Sequence, residues 1–178
     1  MIYVLKYDKA LMDQPAHISP PRAEESRFDV ANRLFFRLYQ ASNLLHKTGT
    51  RAVARHGATT QQWAVLGALA RPAVRAQGCS VKDLIAFLMV SRQNLTAVLD
   101  RLEQAGLVER VRVSGDGRKR HVRLTDTGTR MWAAMQEPIR LYYESALAGF
   151  SDTECVTLFR LLDRLRGSLA CIAGAEVA

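Results

Sequence analysis

SVKDLIAFLMVSRQNLTAVLDRLEQAG, residues 80–106, contains two short apolar stripes with helical spacing. Ser80 precedes the first stripe and Ser91 the second, and serine is a favoured residue at a helix N-cap. The stripes consist of Val81, Leu84, Ile85 and Leu88, and then of Leu95, Val98, Leu99 and Leu102. Only Met89 and Val90 separate the first stripe from the second cap. Two short amphipathic helices joined by such a turn predict a helix-turn-helix.

A basic hairpin is predicted directly after the second helix. Gly106 is placed to end that helix. Residues 107–113 and 119–124 then alternate apolar and polar side chains or are rich in β-branched residues, which predicts two strands. The polar residues 114–117 between them predict a turn. Residues 110–123 contain six Lys or Arg residues and one acid, which accounts for most of the formal net charge of +8. A basic hairpin after a helix-turn-helix is typical of a wing.

Two helices are predicted before the helix-turn-helix. Residues 27–47 carry apolar side chains at the spacing of one helical stripe, and we expect Gly49 to break or bend that helix. Thr60 is predicted to cap a second helix that carries Trp63. Pro72 limits the continuation of this second helix, because proline removes a backbone donor.

Two long helices are predicted after the hairpin. Thr125 is expected to cap the first, which runs to about Leu147 and is kinked or loosened at Pro138. Ser151 and Glu154 have the spacing of a capping box that begins the last helix. Its broad apolar face consists of Leu158, Leu161, Leu162, Leu165, Leu169 and Ile172. One small domain is not expected to cover this face, which predicts a homodimer, although burial within the subunit is the alternative.

The predicted fold class is mainly α-helical with a small β-hairpin wing, an α+β winged helix-turn-helix with flanking dimerisation helices. A chain of 178 residues, 48% hydrophobic, has room for one such fold. We expect a flexible N-terminal arm at residues 1–26, a dimerisation helix region at 27–58, the DNA-binding lobe at 59–125 and C-terminal dimerisation helices at 126–178.

Composition favours an anionic partner such as nucleic acid or a lipid surface, and it argues against several other classes of protein. No apolar run approaches the roughly 20 residues of a membrane helix, so we expect a cytoplasmic protein with no membrane partner. The three cysteines and four histidines show no ligand spacing, which predicts no metal site and no cofactor. Without a phosphate loop, nucleophile elbow or paired carboxylates, we expect no catalytic residue and no enzyme.

The second helix of the pair presents a polar face near its N-terminus. The predicted reading face consists of Ser91, Arg92, Gln93, Asn94, Thr96 and Ala97. Gln, Asn and Arg can form paired hydrogen bonds to base edges, and methyl groups of Ala and Thr can contact thymine. Ser91 and Thr96 are equally suited to phosphates, which would position the helix without reading sequence. An ordinary solvated helix face is the alternative interpretation.

The wing supplies a second set of predicted DNA contacts. Arg118, Lys119 and Arg120 are expected to follow phosphates or to insert a guanidinium into the minor groove. Asp116 is predicted to hold Arg118 or another arginine in a fixed rotamer. The alternative for these residues is a solvated charged turn.

The ordered motifs of residues 80–130 resemble the multiple-antibiotic-resistance regulator (MarR) family. They are LIAFL at 84–88, VSR at 90–92, LDRLE at 99–103, GLVER at 106–110, DGR at 116–118 and LTDTG at 124–128. Met89 departs from the family, which often has a glycine in this turn, and a left-handed backbone there is less comfortable for methionine.

This resemblance implies a homodimer, joined through its first and last helices, that binds a pseudo-palindromic operator in double-stranded DNA. It also implies a repressor released by a small aromatic acid or its thioester. The implied effector site lies where the dimer helices meet the DNA-binding lobe. Its candidates are Arg37 as carboxylate partner, Ser42, Asn43 and His46 as polar contacts, and Trp63 as an aromatic wall. Each of these has an ordinary structural interpretation as a core or surface residue.

Two other functions remain open at this point. A thiol-based redox sensor is the first, but no cysteine precedes Cys79, whereas redox-sensing members carry theirs near the start of the first helix. A winged-helix module that binds protein and not DNA is the second. Salt separates it from a DNA-binding protein, because affinity for DNA falls steeply with ionic strength.

Overall fold

A computed structural model describes residues 26–113 and 116–175 of the chain, without the side chains of residues 113, 116–119 and 175. The predicted arm at residues 1–26 therefore lies outside the described residues, apart from Ser26. Of the predicted turn at 114–117, residues 114 and 115 also lie outside them. The chain divides into two compact units between Asn43 and Leu44. Everything described below belongs to the second unit unless the first is named.

The described residues contain seven α-helices, one short 3-10 helix (Ala54–His56) and three strands. The helices are α1 (Arg27–Val53), α2 (Thr60–Ala70), α3 (Pro72–Arg75), α4 (Val81–Leu88), α5 (Arg92–Gln104), α6 (Asp126–Leu147) and α7 (Asp152–Ala175). The strands are β1 (Cys79–Ser80), β2 (Val108–Val113) and β3 (Asp116–Leu124), and they form an antiparallel sheet in the order β1-β3-β2. This mostly helical fold with a small sheet confirms the predicted class.

The core is built from the apolar stripes that the sequence displays. Helix α2 packs against α4, α5 and α6, and its Leu66 and Leu69 are fully buried. The stripes of α4 and α5 contribute Leu84, Leu95, Leu99 and Leu102, and the sheet contributes Val122. Because α5 buries one stripe against α2, its opposite side is left for solvent or a partner.

The predicted helix caps are confirmed at four positions. The hydroxyls of Ser80, Ser91 and Thr125 accept hydrogen bonds from backbone N–H groups three residues later, at 3.0–3.2 Å. Ser151 and Glu154 form the capping box of α7, with the Ser151 N–H donating to the Glu154 carboxylate. Gly106 ends α5 with φ of 66°, the left-handed conformation expected of a helix-terminating glycine.

Gly49 does not end the first helix, which contradicts the sequence-based expectation. Helix α1 runs through it to Val53, and Gly49 is buried. A Cβ atom there would lie 2.6 Å from Cγ2 of Thr60 and 3.3 Å from Cζ3 of Trp63. This glycine therefore permits the close approach of α1 and α2, a role that is independent of helix termination.

The predicted cap of α2, Thr60, is wrong by one residue. The cap is Thr59, whose hydroxyl accepts from the Gln62 N–H while the Gln62 side chain accepts from the Thr59 N–H. Thr60 is buried, and its hydroxyl donates to the His46 carbonyl at 3.1 Å. Two adjacent threonines compete for a cap in the sequence, and the capping-box partner Gln62 selects the first.

The sheet contains more than the predicted hairpin. Strand β1, only two residues long, pairs with β3 through Cys79 opposite Val122 and Ser80 opposite His121. Strand β3 begins at Asp116, three residues before the predicted start at Lys119. The register slips between Arg112 and Val113, so β3 carries extra residues in a bulge near the tip of the wing.

Candidate nucleic-acid interface

Helix α5 presents its predicted polar face to solvent. Leu95, Val98 and Leu99 are buried against the core. The exposed residues of its first turns and cap are Ser91, Arg92, Gln93, Asn94, Thr96 and Ala97. The N-terminal half of α5 therefore offers short polar side chains on a rigid element, the arrangement that base reading in a major groove requires. Their contacts with bases stay a prediction.

Ser91 has a structural task in addition to its predicted one. Its hydroxyl caps α5 by accepting from the Asn94 N–H at 3.2 Å. A hydroxyl has a second lone pair and one hydrogen, so the cap leaves Ser91 able to donate to a phosphate. Such a phosphate would also lie at the positive end of the helix.

An arginine at the base of the wing fixes the wing strand to α5. The Arg110 guanidinium donates to the Asp100 carboxylate at 2.8 Å and lies 3.5 Å from the Glu103 carboxylate. In the sequence, Arg110 belongs to the basic stretch and to the GLVER motif, and its ion pair with Asp100 was not predicted. The available signal was the spacing of Asp100 and Glu103, which places two acids on one side of α5 near the hairpin.

The predicted wing contacts lie on β3. Arg120 is exposed and stands opposite Arg112 on β2. Asp116, Arg118 and Lys119 belong to the same strand, but their side chains lie outside the described part of the chain. The predicted pairing of Asp116 with an arginine therefore stays a prediction. On the other side of the ribbon, Arg123 donates to the Glu109 carboxylate at 2.8 Å.

The turn between α4 and α5 holds a methionine in an unusual conformation. Met89 has φ of 53° and ψ of 41°, the left-handed region that favours glycine. Nearby, the Arg71 guanidinium lies 3.5 Å from the centroid of the Phe87 ring and donates to the Ala68 carbonyl. This cation–π contact joins the end of α2 to the last turn of α4, two residues before Met89.

The predicted effector residues fall in both compact units. Arg37, Ser42 and Asn43 belong to the first unit, where Arg37 donates to the Gln40 side chain at 2.9 Å. His46 and Trp63 belong to the second unit. His46 Nδ1 lies 3.3 Å from the Thr60 hydroxyl, which also contacts the Thr50 hydroxyl at 2.9 Å.

Trp63 belongs to an aromatic cluster that sequence analysis did not find. Its ring centroid lies 6.1 Å from that of Tyr142 and 5.6 Å from that of Tyr143. The Tyr142 hydroxyl contacts the Thr48 hydroxyl at 3.0 Å. Partial burial raises the pKa of Tyr143, with a smaller contribution from Tyr142, so this phenol is a neutral donor at physiological pH. The adjacent tyrosines on α6 gave no periodic signal that linked them to α2.

A cleft of about 600 Å³ lies elsewhere on the second unit, beside α3 and the N-terminus of α6. Its charged lining consists of Arg75, Arg123, Glu109 and Asp126. None of the predicted effector residues lines it. Since its two cations are matched by two acids, its charge gives no preference for an aromatic carboxylate.

The cysteines and acids of the described residues form no metal or disulfide site. Within residues 26–113 and 116–175, no three His, Cys, Asp or Glu side chains are grouped to hold a metal ion. Cys79 is buried, and desolvation is the main cause that raises the pKa of its thiol, followed by the charge of Asp83. In the same described residues, no helix has the length and apolarity to cross a membrane.

Comparison with known proteins identifies the family. The sequence profile of the MarR family matches residues 56–119, which include the helix-turn-helix and most of the wing. The transcriptional activatory protein BadR of Rhodopseudomonas palustris is 48% identical over 154 residues, covering 84% of this chain and 87% of BadR. The chain belongs to the MarR family. MarR proteins are transcriptional regulators, and the winged helix described above is the MarR fold.

Other MarR relatives agree with this assignment. The homoprotocatechuate degradative operon repressor of Escherichia coli is 32% identical over 111 residues, covering 62% of this chain and 72% of the repressor. The PcaV transcriptional regulator of Streptomyces coelicolor, solved with its natural ligand, is 28% identical with a TM-score of 0.63. That likeness covers 83% of this chain and 99% of PcaV.

Proposed function

We propose that this protein is a homodimeric, ligand-responsive transcriptional regulator that binds a pseudo-palindromic operator in double-stranded DNA. The observation that carries the proposal is the exposed polar N-terminal face of α5, joined to the wing by the contact of Arg110 with Asp100. A reading helix and a basic ribbon on one rigid lobe can contact the bases and phosphates of the same duplex.

Exposed apolar residues support the homodimer. Helix α7 exposes large apolar side chains that a soluble regulator is expected to cover. They are Val156, Leu158, Phe159, Leu161, Leu162, Leu169 and Ile172. In the first unit, Phe28, Leu34, Phe35 and Tyr39 of α1 are also exposed. A second copy of the chain is the proposed partner for these surfaces, because a two-fold axis presents the same faces on both subunits.

An aromatic acid or its thioester is the proposed effector. The cluster of Trp63, Tyr142 and Tyr143 provides aromatic walls, and His46 and Thr60 provide polar groups next to α2. The 32% identical relative is named for homoprotocatechuate, which is an aromatic acid. Arg37, Ser42 and Asn43 stay in the proposed set on the sequence-based argument alone.

The first proposal for the direction of control is that the protein represses transcription and that the effector releases it from the operator. Activation is a second candidate, because the 48% identical relative is named an activatory protein while the 32% identical relative is named a repressor. Transcription in vitro from a promoter that contains the selected operator separates the two. A repressor lowers transcript yield when added without effector, whereas an activator raises it.

Selection of bound duplexes from a random pool tests DNA binding directly. We expect an inverted repeat whose half-sites are about one or two helical turns apart, and sedimentation of a complex that contains two chains. Repeating the selection with benzoate-type acids and their thioesters tests the effector. If the selection enriches no sequence and the affinity for a random duplex does not change with salt, the protein-interaction alternative is favoured.

Trp63 offers a direct probe of the effector site. The chain has two tryptophans, so Trp132→Phe leaves Trp63 as the single indole. In that variant, an aromatic acid bound beside Trp63 is expected to quench its fluorescence and raise the melting temperature. Tyr143→Phe is expected to weaken binding of the effector and to leave the affinity for DNA unchanged. Quenching without a change in operator affinity would show binding that has no regulatory consequence.

A further inference from the structure

The strand register divides the wing ribbon into two sides. Residues opposite one another in an antiparallel pair project to the same side, and successive pairs alternate. One side, called here the α5 side, carries the pairs Val108–Leu124, Arg110–Val122 and Arg112–Arg120. The other side carries Glu109–Arg123 and Val111–His121.

Burial and ion pairs show that the α5 side faces the recognition helix. Val108 and Val122 are buried in the core, and Arg110 reaches the Asp100 carboxylate on α5. Two residues further along each strand, the same side of the ribbon leaves the core. Arg112 and Arg120 therefore lie on the side of the wing that continues the exposed face of α5.

Arg112 and Arg120 form a cross-strand pair of like charges. Residues directly opposite on neighbouring strands have Cβ atoms about 4.5–5.5 Å apart, and like charges at this spacing destabilise the pair. Both side chains are exposed, and neither forms an ion pair with any side chain that the structure describes. Arg110 and Arg123, the adjacent arginines, are each matched by an acid. Among the side chains of the ribbon that the structure describes, the unmatched arginines thus lie at this one cross-strand pair.

We propose that Arg112 and Arg120 together clamp one phosphate group of the DNA backbone, with Arg112 as a contact that sequence analysis did not nominate. Two guanidiniums on one side of a ribbon can both donate hydrogen bonds to the oxygens of a single phosphodiester. The anion cancels the repulsion between them. This inference rests on the proposed function, because the duplex supplies the phosphate while α5 occupies the adjacent major groove. The register slip next to Arg112 re-aims the ribbon just beyond the clamp.

The test uses Arg112→Ala, Arg120→Ala and the double variant, with Arg123→Ala as the matched control on the other side. Affinity for the selected operator and for a random duplex is measured between about 50 and 200 mM salt. Each single clamp variant is expected to bind both duplexes about tenfold more weakly. The double variant is expected to lower the salt slope by about 0.9, the contribution of one phosphate, and each single variant to lower it by less. Arg123→Ala is expected to change the slope less.

Two further readouts distinguish a clamp from a structural arginine. Without DNA, Arg112→Ala and Arg120→Ala are expected to keep or raise the melting temperature, because repulsion is relieved. In DNA binding, the second substitution is expected to cost less than the first, since both residues hold the same phosphate. A lowered melting temperature with an unchanged salt slope overturns the clamp, and so do additive losses.

Controls distinguish failure of the clamp from failure of the proposed function, and a DNA phosphate site from a site for free phosphate. If the unmodified protein binds no duplex, the proposed function fails. If it binds duplex and the Arg112→Ala slope is unchanged, only the clamp fails. Inorganic phosphate is the probe for a free-anion site. A melting temperature that phosphate raises in the unmodified protein but not in Arg112→Ala, without any change in duplex slope, overturns the assignment to DNA.

Discussion

The Arg110 guanidinium on β2 and the Asp100 carboxylate on α5 are joined by a hydrogen-bonded ion pair of 2.8 Å, with Glu103 as a second acid at 3.5 Å. This contact ties β2 of the wing to α5. The single positive charge of Arg110 also offsets one of the two negative charges that Asp100 and Glu103 place beside the wing. Orientation and charge of the interface thus depend on the same arginine.

Arg110→Ala is expected to lower DNA affinity by about tenfold or more, because it removes a tether and leaves two acids near phosphates. Its effect on stability is small, about 1 kcal/mol or less, since both partners are partly exposed. Titration of operator DNA and urea unfolding measure the two effects. Arg123→Ala removes an equal charge from the opposite side of the ribbon, so equal losses from both variants contradict the tethering role.

Gln93→Ala is expected to change base preference without a uniform loss of binding. A side chain that reads a base contributes about 1–3 kcal/mol of discrimination at one position. Arg118→Ala, by contrast, is expected to weaken binding to all sequences and to reduce the slope of log affinity against log salt concentration by about 1. Binding to a library of single-base operator variants distinguishes them. Identical, sequence-independent losses from both substitutions remove the assignment of Gln93 as a reader.

Met89→Gly is expected to stabilise the protein by roughly 1 kcal/mol. A non-glycine residue with φ of 53° carries conformational strain, and this side chain is 54% exposed, so little burial is lost. The midpoint of urea unfolding measures the gain. Met89→Ala retains the Cβ atom and is the control, expected to show no comparable gain. Equal stabilisation by both variants would assign the effect to the methionine side chain and not to the backbone.

Gly128→Ala is expected to destabilise the protein by about 3 kcal/mol. A Cβ atom at this buried position of α6 would lie 1.9 Å from the Leu107 carbonyl oxygen, which the Thr125 N–H holds in place. Gly167→Ala on α7 is the control, because a Cβ there meets open space in the subunit and helix propensity favours alanine by roughly 0.5–1 kcal/mol. Thermal unfolding compares the variants. Tolerance of Ala at 128 would show that the backbone yields at Leu107, the residue just before β2.

Cys79 is expected to resist thiol reagents until the protein unfolds. Desolvation raises its thiol pKa in the folded state above its ordinary value, so less thiolate is present at a given pH. For a group whose folded pKa is raised, the associated stability is present below the unfolded-state pKa and is lost as the pH rises through the folded pKa. Labelling rates between pH 7 and 10, with and without urea, measure this. Rapid labelling of native Cys79 together with loss of DNA binding after peroxide would revive the redox-sensing alternative.

Local sequence signals predicted the helices well because their determinants lie within four residues. Ser91 caps α5 through Asn94, and Leu95 and Leu99 are spaced by one turn, so neither feature needs distant parts of the chain. The same local reasoning failed at Gly49, which looks like a helix breaker. Its actual determinant is the close packing of Thr60 and Trp63 from the next helix.

The sequence by itself determined the order of helices, the positions of most caps and the exposed polar face of α5, because period and capping are short-range properties. Only the tertiary structure decided which charges are matched. Arg110 and Arg112 are two residues apart and look alike in the sequence, yet the first meets Asp100 and the second faces Arg120. Strand register and helix packing set these partners, and both depend on contacts between segments that lie far apart in the chain.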